Sequence, residues 1–255
     1  MMPAETFSVL LALLAAGTAG LVGSFALMKR ITLAGDAISH IALPGLGLAL
    51  LLKVQPVLGG AVTLFAGALL IWKLQQRTSL ATETAIGVIF TASLAVGALV
   101  TPSEDLIEAL FGHFETLSFW SLILYAGLSV LVVGFLLARR SELMLSIFSP
   151  DLAAATGVNL DRLNLLYLLS FVASILLGLR FLGALLAGSL IIIPAATSYQ
   201  LTHQLRSFLI VSSLMSVLSV LAGMILSRVY GLDLGPAVVS VSAALFGLSL
   251  LKRKK

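Results

Sequence analysis

Nine long apolar runs separated by short polar connections constrain this chain more than anything else in its sequence. They cover about 6–28, 36–52, 56–72, 83–100, 118–138, 162–179, 181–200, 207–228 and 235–251. A helix needs roughly 20 apolar residues to cross a hydrocarbon core about 30 Å thick. In lipid only helices and closed barrels satisfy their own backbone polar groups. The alternating ten-residue segments of a barrel are absent. The reading is an all-α polytopic membrane protein of about nine transmembrane helices. Eight or ten follow if a proline-broken run turns back, since Pro44 and Pro194 fall inside the second and seventh runs and are expected to kink or break them. Composition agrees: 60% of the residues are hydrophobic and 10% are charged, against about 25% charged in soluble domains.

The net charge of +4 does not point to nucleic acid, because the basic residues lie in the gaps between runs, as topology signals do. With the N-terminus outside and nine crossings, Lys29, Arg30, Lys73, Arg77, Arg139, Arg140, Arg162, Arg206 and the terminal Lys252–Lys255 cluster fall inside. Lys53, Arg180 and Arg228 fall outside, a ratio of 12 to 3. The opening MMPAETFSVLLALL lacks a basic segment before its apolar run and reads as a first span, not a cleaved signal. The absence of cysteine excludes disulfides, thiolate metal sites and cysteine nucleophiles.

Two connections exceed a turn. The outer one, TPSEDLIEALFGHFETLS, brings Glu104, Asp105, Glu108, His113 and Glu115 to the outer face as a weak candidate vestibule for cations. A solvated loop explains His113 as well. The inner one contains Ser149-Pro150-Asp151, a helix-start pattern of capping serine, proline in the first turn and an early acid. LAAATG then runs to Gly157, a helix stop. A short capped helix at about 149–160 is a candidate docking element, with Ser149, Pro150, Asp151, Leu152, Ala153 and Gly157 as its residues. A solvated linker is the alternative.

Asp36 and His40 stand out within the second run. Their i, i+4 spacing puts them on one helix face. His40 falls roughly 15 Å beyond the inner boundary, near mid-bilayer. An ionised carboxylate there costs several kcal/mol unless it faces protein, water or a cation. Imidazole and carboxylate together suit borderline divalent ions such as zinc and manganese. One pair offers two ligands; a two-fold dimer would bring four. Pro44 and Gly45, just beyond, would interrupt the helix at the depth where transporters place ion sites. Spacing alone leaves open an internally hydrogen-bonded pair and a proton relay.

Other polar residues carry less. His203 is interfacial, Glu83 opens a helix, and Thr197 and Ser198 either line a path or bond back to the backbone after Pro194. GTAGLVG (17–23) and Ala184 with Gly188 supply small residues for close helix contact. No nucleotide-binding GxxxxGK[ST], no HExxH and no GxSxG occurs. If ATP drives transport, another subunit must hold it.

Several strings are distinctive together. KRITLAGDAISHIALPGLGLALLL (29–52), SPDLAAATGVNLDRL (149–163), FLGALLAGSLIIIPAAT (181–197) and GPAVVSVSAALFGLSLLKRKK (235–255), with the less specific ALFGHF (109–114), resemble permeases of the bacterial metal ABC-transporter family, the ABC-3 zinc, manganese and iron importers. The resemblance runs through nearly the whole chain. It implies a single transmembrane permease domain over 1–255 in the bacterial cytoplasmic membrane. It also implies a second copy of the chain, two ATPase subunits and an extracytoplasmic metal-binding protein. The divalent metal would be the substrate, with no permanent cofactor and no enzymatic activity in this chain. It further implies that 149–163 is the coupling loop, that Asp36 and His40 contact metal in the pathway, and that Pro44, Gly45 and Pro194 serve as hinges. The outer region lacks the histidine-rich stretch of some zinc importers. Rival readings are a permease for metal chelates or vitamins, a secondary transporter working without ATPase, an intramembrane hydrolase, and a membrane scaffold.

Overall fold

The computed structural model describes residues 4–78, 80–101 and 119–251. Eleven helices lie among them: α1 (Ala4–Met28), α2 (Ala34–His40), α3 (Leu43–Leu51), α4 (Pro56–Arg77), α5 (Thr82–Val100), α6 (Phe119–Ala138), α7 (Arg140–Phe148), α8 (Pro150–Ala155), α9 (Leu160–Leu201), α10 (Leu205–Tyr230) and α11 (Leu234–Leu250). No strand occurs among the described residues.

Helix α9 is two limbs. Its backbone leaves helical values at Gly183, with φ 72° and ψ 176°. A Cβ placed on Gly178 would lie 3.6 Å from that of Ala187. Nine residues of unbroken helix would separate them by about 13.5 Å, so the chain doubles back. Residues 160–182 lead to the turn and 184–201 return from it. This conformation is essentially restricted to glycine. Pro194, expected to kink or break this run, does not break it and lies within helical backbone. Neighbouring helices in a membrane bundle allow a proline to be carried without a break.

In the second run the break falls just ahead of its proline. Ile41 N–H donates to the Ile38 carbonyl and Ala42 N–H to that of Ser39, two three-residue steps, before Pro44 starts α3 in its first turn. Pro44 has no N–H for the carbonyl of His40, so a continuous ladder ends there. Pro56 and Pro150 likewise open α4 and α8, with backbone φ already set for a helix.

Among the described residues seven segments are long and apolar enough to cross a membrane: α1, α2 with α3, α4, α5, α6, the first limb of α9, and α10. The count of nine is reached only if the return limb of α9 and the 17-residue α11 also cross.

The core lies where α1 packs against both limbs of α9 and α10, filled by Leu11, Phe25, Phe171, Ile175 and Ile191. The periphery inverts the soluble pattern. In α4, α5 and α6 large apolar side chains face outward, with Val62, Leu99, Leu124 and Val130 all about two-thirds exposed or more. A surface of that kind is stable only against lipid or another apolar face. Helix contacts inside the bundle use hydroxyls. Ser212 donates to the Gly20 carbonyl at 2.6 Å, Ser198 to that of Phe208 at 2.8 Å, and Ser219 bonds Ser242. Such bonds are worth about 0.6 kcal/mol each in a membrane interior.

Candidate functional site

Helix α2 carries the pair as the spacing requires. His40 Nε2 lies 3.9 Å from Asp36 Oδ1. That is beyond hydrogen-bond reach, so the two share a face without being bonded to each other. The His40 ring is buried and sits 5.7 Å from the ring of Phe90 on α5. Its Nδ1 is buried with no hydrogen-bond partner among the described residues. The Asp36 carboxylate is about half exposed and has no Lys or Arg paired with it among the described residues.

Residues of α9's return limb seat this helix. A Cβ on Gly188 would fall 2.6 Å from both the Cα and the N of Asp36, and one on Gly35 would fall 3.3 Å from the Gly188 carbonyl oxygen. The two helices therefore cross backbone to backbone at the carboxylate. The small-residue pattern around 184–188 anticipated a close contact; its partner at Gly35 was not singled out. Gly45 likewise meets α4 at Gly59, where a Cβ on either would strike the other's carbonyl.

Among the described residues no group of three or more His, Asp, Glu or Cys side chains gathers to hold a metal. One chain thus offers a two-donor half-site. A borderline divalent ion takes four or more ligands, so water or a second chain must supply the remainder. The expected vestibule residues Glu104, Asp105, Glu108, His113 and Glu115 lie outside the described residues.

The short helix expected at about 149–160 is present as α8, and its stop is at Gly157 with φ 83°. One detail differs from expectation. Ser149 occupies the cap position, but its hydroxyl makes no cap bond; its carbonyl instead accepts from Ala153 N–H. Ala153 is fully buried, whereas Asp151 and Leu152 face outward, next to a three-quarters exposed Phe148. Two elements were missed. Helix α7 precedes α8, with Arg139 paired to Glu142 at 2.6 Å. Asn159 caps α9 by accepting from Arg162 N–H; an asparagine three residues before that arginine was the available signal.

The helix ends around α8 are tied together. Lys29, in the turn after α1, donates to Asn164 Oδ1 at 2.8 Å, and its ammonium lies 5.1 Å from the centre of the Tyr167 ring. Trp72 Nε1 donates to the Asp161 carbonyl. The first two turns of α9, shortly after α8, are thereby fastened to α4 and to the turn that leads into α2.

Comparison with known proteins follows the same lines. The family model described as ABC 3 transport family matches residues 2–253. The high-affinity zinc uptake system membrane protein ZnuB of Haemophilus influenzae is 34% identical over 241 residues, covering 92% of each chain. The manganese transport system membrane protein MntC of Halalkalibacterium halodurans is 32% identical, over 90% of this chain and 80% of that one. Among solved structures, PsaBC from Streptococcus pneumoniae in complex with Fab superposes with a TM-score of 0.79 at 26% identity, over 96% of this chain and 90% of that chain. A match from end to end, on the bundle just described, leaves one assignment: this chain belongs to the ABC 3 transport family.

Proposed function

We propose that the chain is the membrane permease of an ATP-driven importer of divalent transition-metal ions. Its relatives' names support zinc or manganese as the ion. The observation that carries the reading is the full-length family match, joined to the unbonded Asp36–His40 pair on α2. The whole chain acts as one permease domain in the bacterial cytoplasmic membrane, N-terminus outside and C-terminus inside. Two copies pair. Each docks α8 and its flanks, Ser149 to Gly157, on a separate ATPase subunit. An extracytoplasmic binding protein delivers the metal to the outer mouth, where the acidic connection raises its local concentration modestly.

Four donors, Asp36 and His40 from each copy, suffice for a borderline divalent ion. The carboxylate is half exposed and so open to a cation, and the imidazole is neither spent on the carboxylate nor held by it. A weak site of this kind releases its ion when the passage opens inward; tight capture is left to the delivery protein. The ATPases' closing motion moves α8 and re-aims the spans.

The test is uptake of radioactive zinc and manganese in cells lacking their own importer. Asp36→Asn and His40→Ala abolish uptake while the ATPase still co-purifies with the permease. Wild-type uptake by either variant defeats the site assignment. Loss of ATPase association would mean that the variant acted on folding instead.

A further inference from the structure

A cavity of about 490 Å³ opens at the inner ends of the helices, between the turn after α1, the end of α4, the start of α5, α7 and the start of α9. It has no role in the passage just described. Its wall contains two successive cations, Lys29 and Arg30, and, among the described residues, no acid. The neutral groups Thr82, Gln75, Ser146 and Asn164 complete the polar part. The other half of the wall is apolar, with Phe148 and Leu168 among its members.

The cations lack neutralising partners. Lys29 donates one of its three hydrogens to the amide oxygen of Asn164 and stands over Tyr167, both uncharged. The Arg30 side chain makes no ion pair or hydrogen bond among the described residues; only its backbone N–H is used, donating to the Leu27 carbonyl. A half-buried ammonium sharing a cavity wall with a second cation is costly without an anion. Burial in fact pushes Lys29 down to about 8.

We propose that this cavity binds a phosphate-bearing anion, and that the occupant is the headgroup of an anionic phospholipid from the inner leaflet. Basic pockets between membrane helices on the cytoplasmic side recognise such headgroups. The apolar half of the wall suits the glycerol and upper acyl region, which free phosphate does not have. The inference rests on the chain spanning the membrane with these basic residues inside, and not on Asp36 or His40 binding metal.

The test titrates the purified full-length chain in detergent with phosphatidylglycerol, phosphatidylcholine or inorganic phosphate and counts bound molecules by native mass spectrometry. One phosphatidylglycerol saturates per chain, phosphatidylcholine binds more weakly, and inorganic phosphate competes only at much higher concentration. Arg30→Gln and Lys29→Gln each weaken phosphatidylglycerol binding about fivefold, the worth of one basic residue at a membrane surface. Should Lys29→Gln fail to fold, the exposed Arg30 decides alone. Inorganic phosphate binding as tightly as the lipid would overturn the lipid as occupant in favour of a soluble phosphate. Equal affinity for both lipids, or unchanged affinity in the variants, would overturn the site itself.

Discussion

Gly188→Ala is the sharpest probe of how the α2 pair is held. The new methyl carbon would sit 2.6 Å from two backbone atoms of Asp36, against at least 3.4 Å in ordinary contact. The helices must part by about 0.8 Å at that crossing, because backbone cannot turn aside as a side chain can. Overpacking of this kind costs about 1–3 kcal/mol. A shift of about 1 Å in a positioned group reduces activity on the order of 100-fold. The expected outcome is a chain that inserts and folds with a lowered melting temperature, and metal uptake reduced at least tenfold. Gly178→Ala is the control. Its methyl would meet only Ala187 at 3.6 Å, so stability and uptake stay near wild type. The assay pairs radioactive metal uptake in cells with thermal unfolding of the purified chain in detergent. Wild-type melting and uptake for Gly188→Ala would refute the claim that α2 is seated backbone to backbone on α9.

Gly183→Ala places a side chain where φ is 72° and ψ 176°, a conformation costing about 1–3 kcal/mol without glycine. The thermal midpoint falls, and protease accessibility of the 160–201 hairpin rises, relative to Gly178→Ala. Lys29 supplies a pH signature. Its folded value is near 8 against an ordinary 10.5, so the unfolded chain holds more protons between those limits. Stability therefore rises as pH climbs from about 8 to 10.5, by up to about 3 kcal/mol. Thermal unfolding followed across that window shows the rise in the wild type and a flat profile in Lys29→Met.

The all-α membrane fold was legible because apolar runs this long have one use, and the runs fall on the observed helices within a few residues. Helix breaks were harder. Proline marked Pro44 correctly to within three residues, since its missing N–H ends the ladder at His40. At Pro194 the run is not broken, because a proline in a packed helix costs one hydrogen bond, whereas the reversal at Gly183 required a backbone that only glycine adopts. Glycine serves both close contact and turning, and the sequence does not separate the two uses. Asp36 and His40 were found because polar residues in an apolar run need a reason. Gly35, Phe90 and the cavity beside Lys29 were not, since contacts between elements distant in the chain leave no local pattern.

The fastenings around the start of α9 give the proposed coupling a mechanical route. Helix α8 is six residues long and ends four residues before Asn159 caps α9. The first two turns of α9 hold Lys29 through Asn164 and α4 through Asp161. Lys29 begins the turn into α2, so a rigid shift of α8 reaches Asp36 through one hydrogen bond and a short turn. The three-residue steps at Ile41 and Ala42 let α2 tilt apart from α3 without breaking a regular ladder. Gly157→Ala strains the stop at φ 83° by about 1 kcal/mol and misaligns α8 with α9. Asp151→Ala alters the outward face of α8 and leaves its backbone intact. In reconstituted transporter both variants keep ATP hydrolysis and lose metal uptake by at least tenfold, with Asp36 and His40 untouched. Uptake per ATP hydrolysed that matches wild type in both variants would remove α8 from the coupling path and leave the Lys29–Asn164 bond as a purely structural tie.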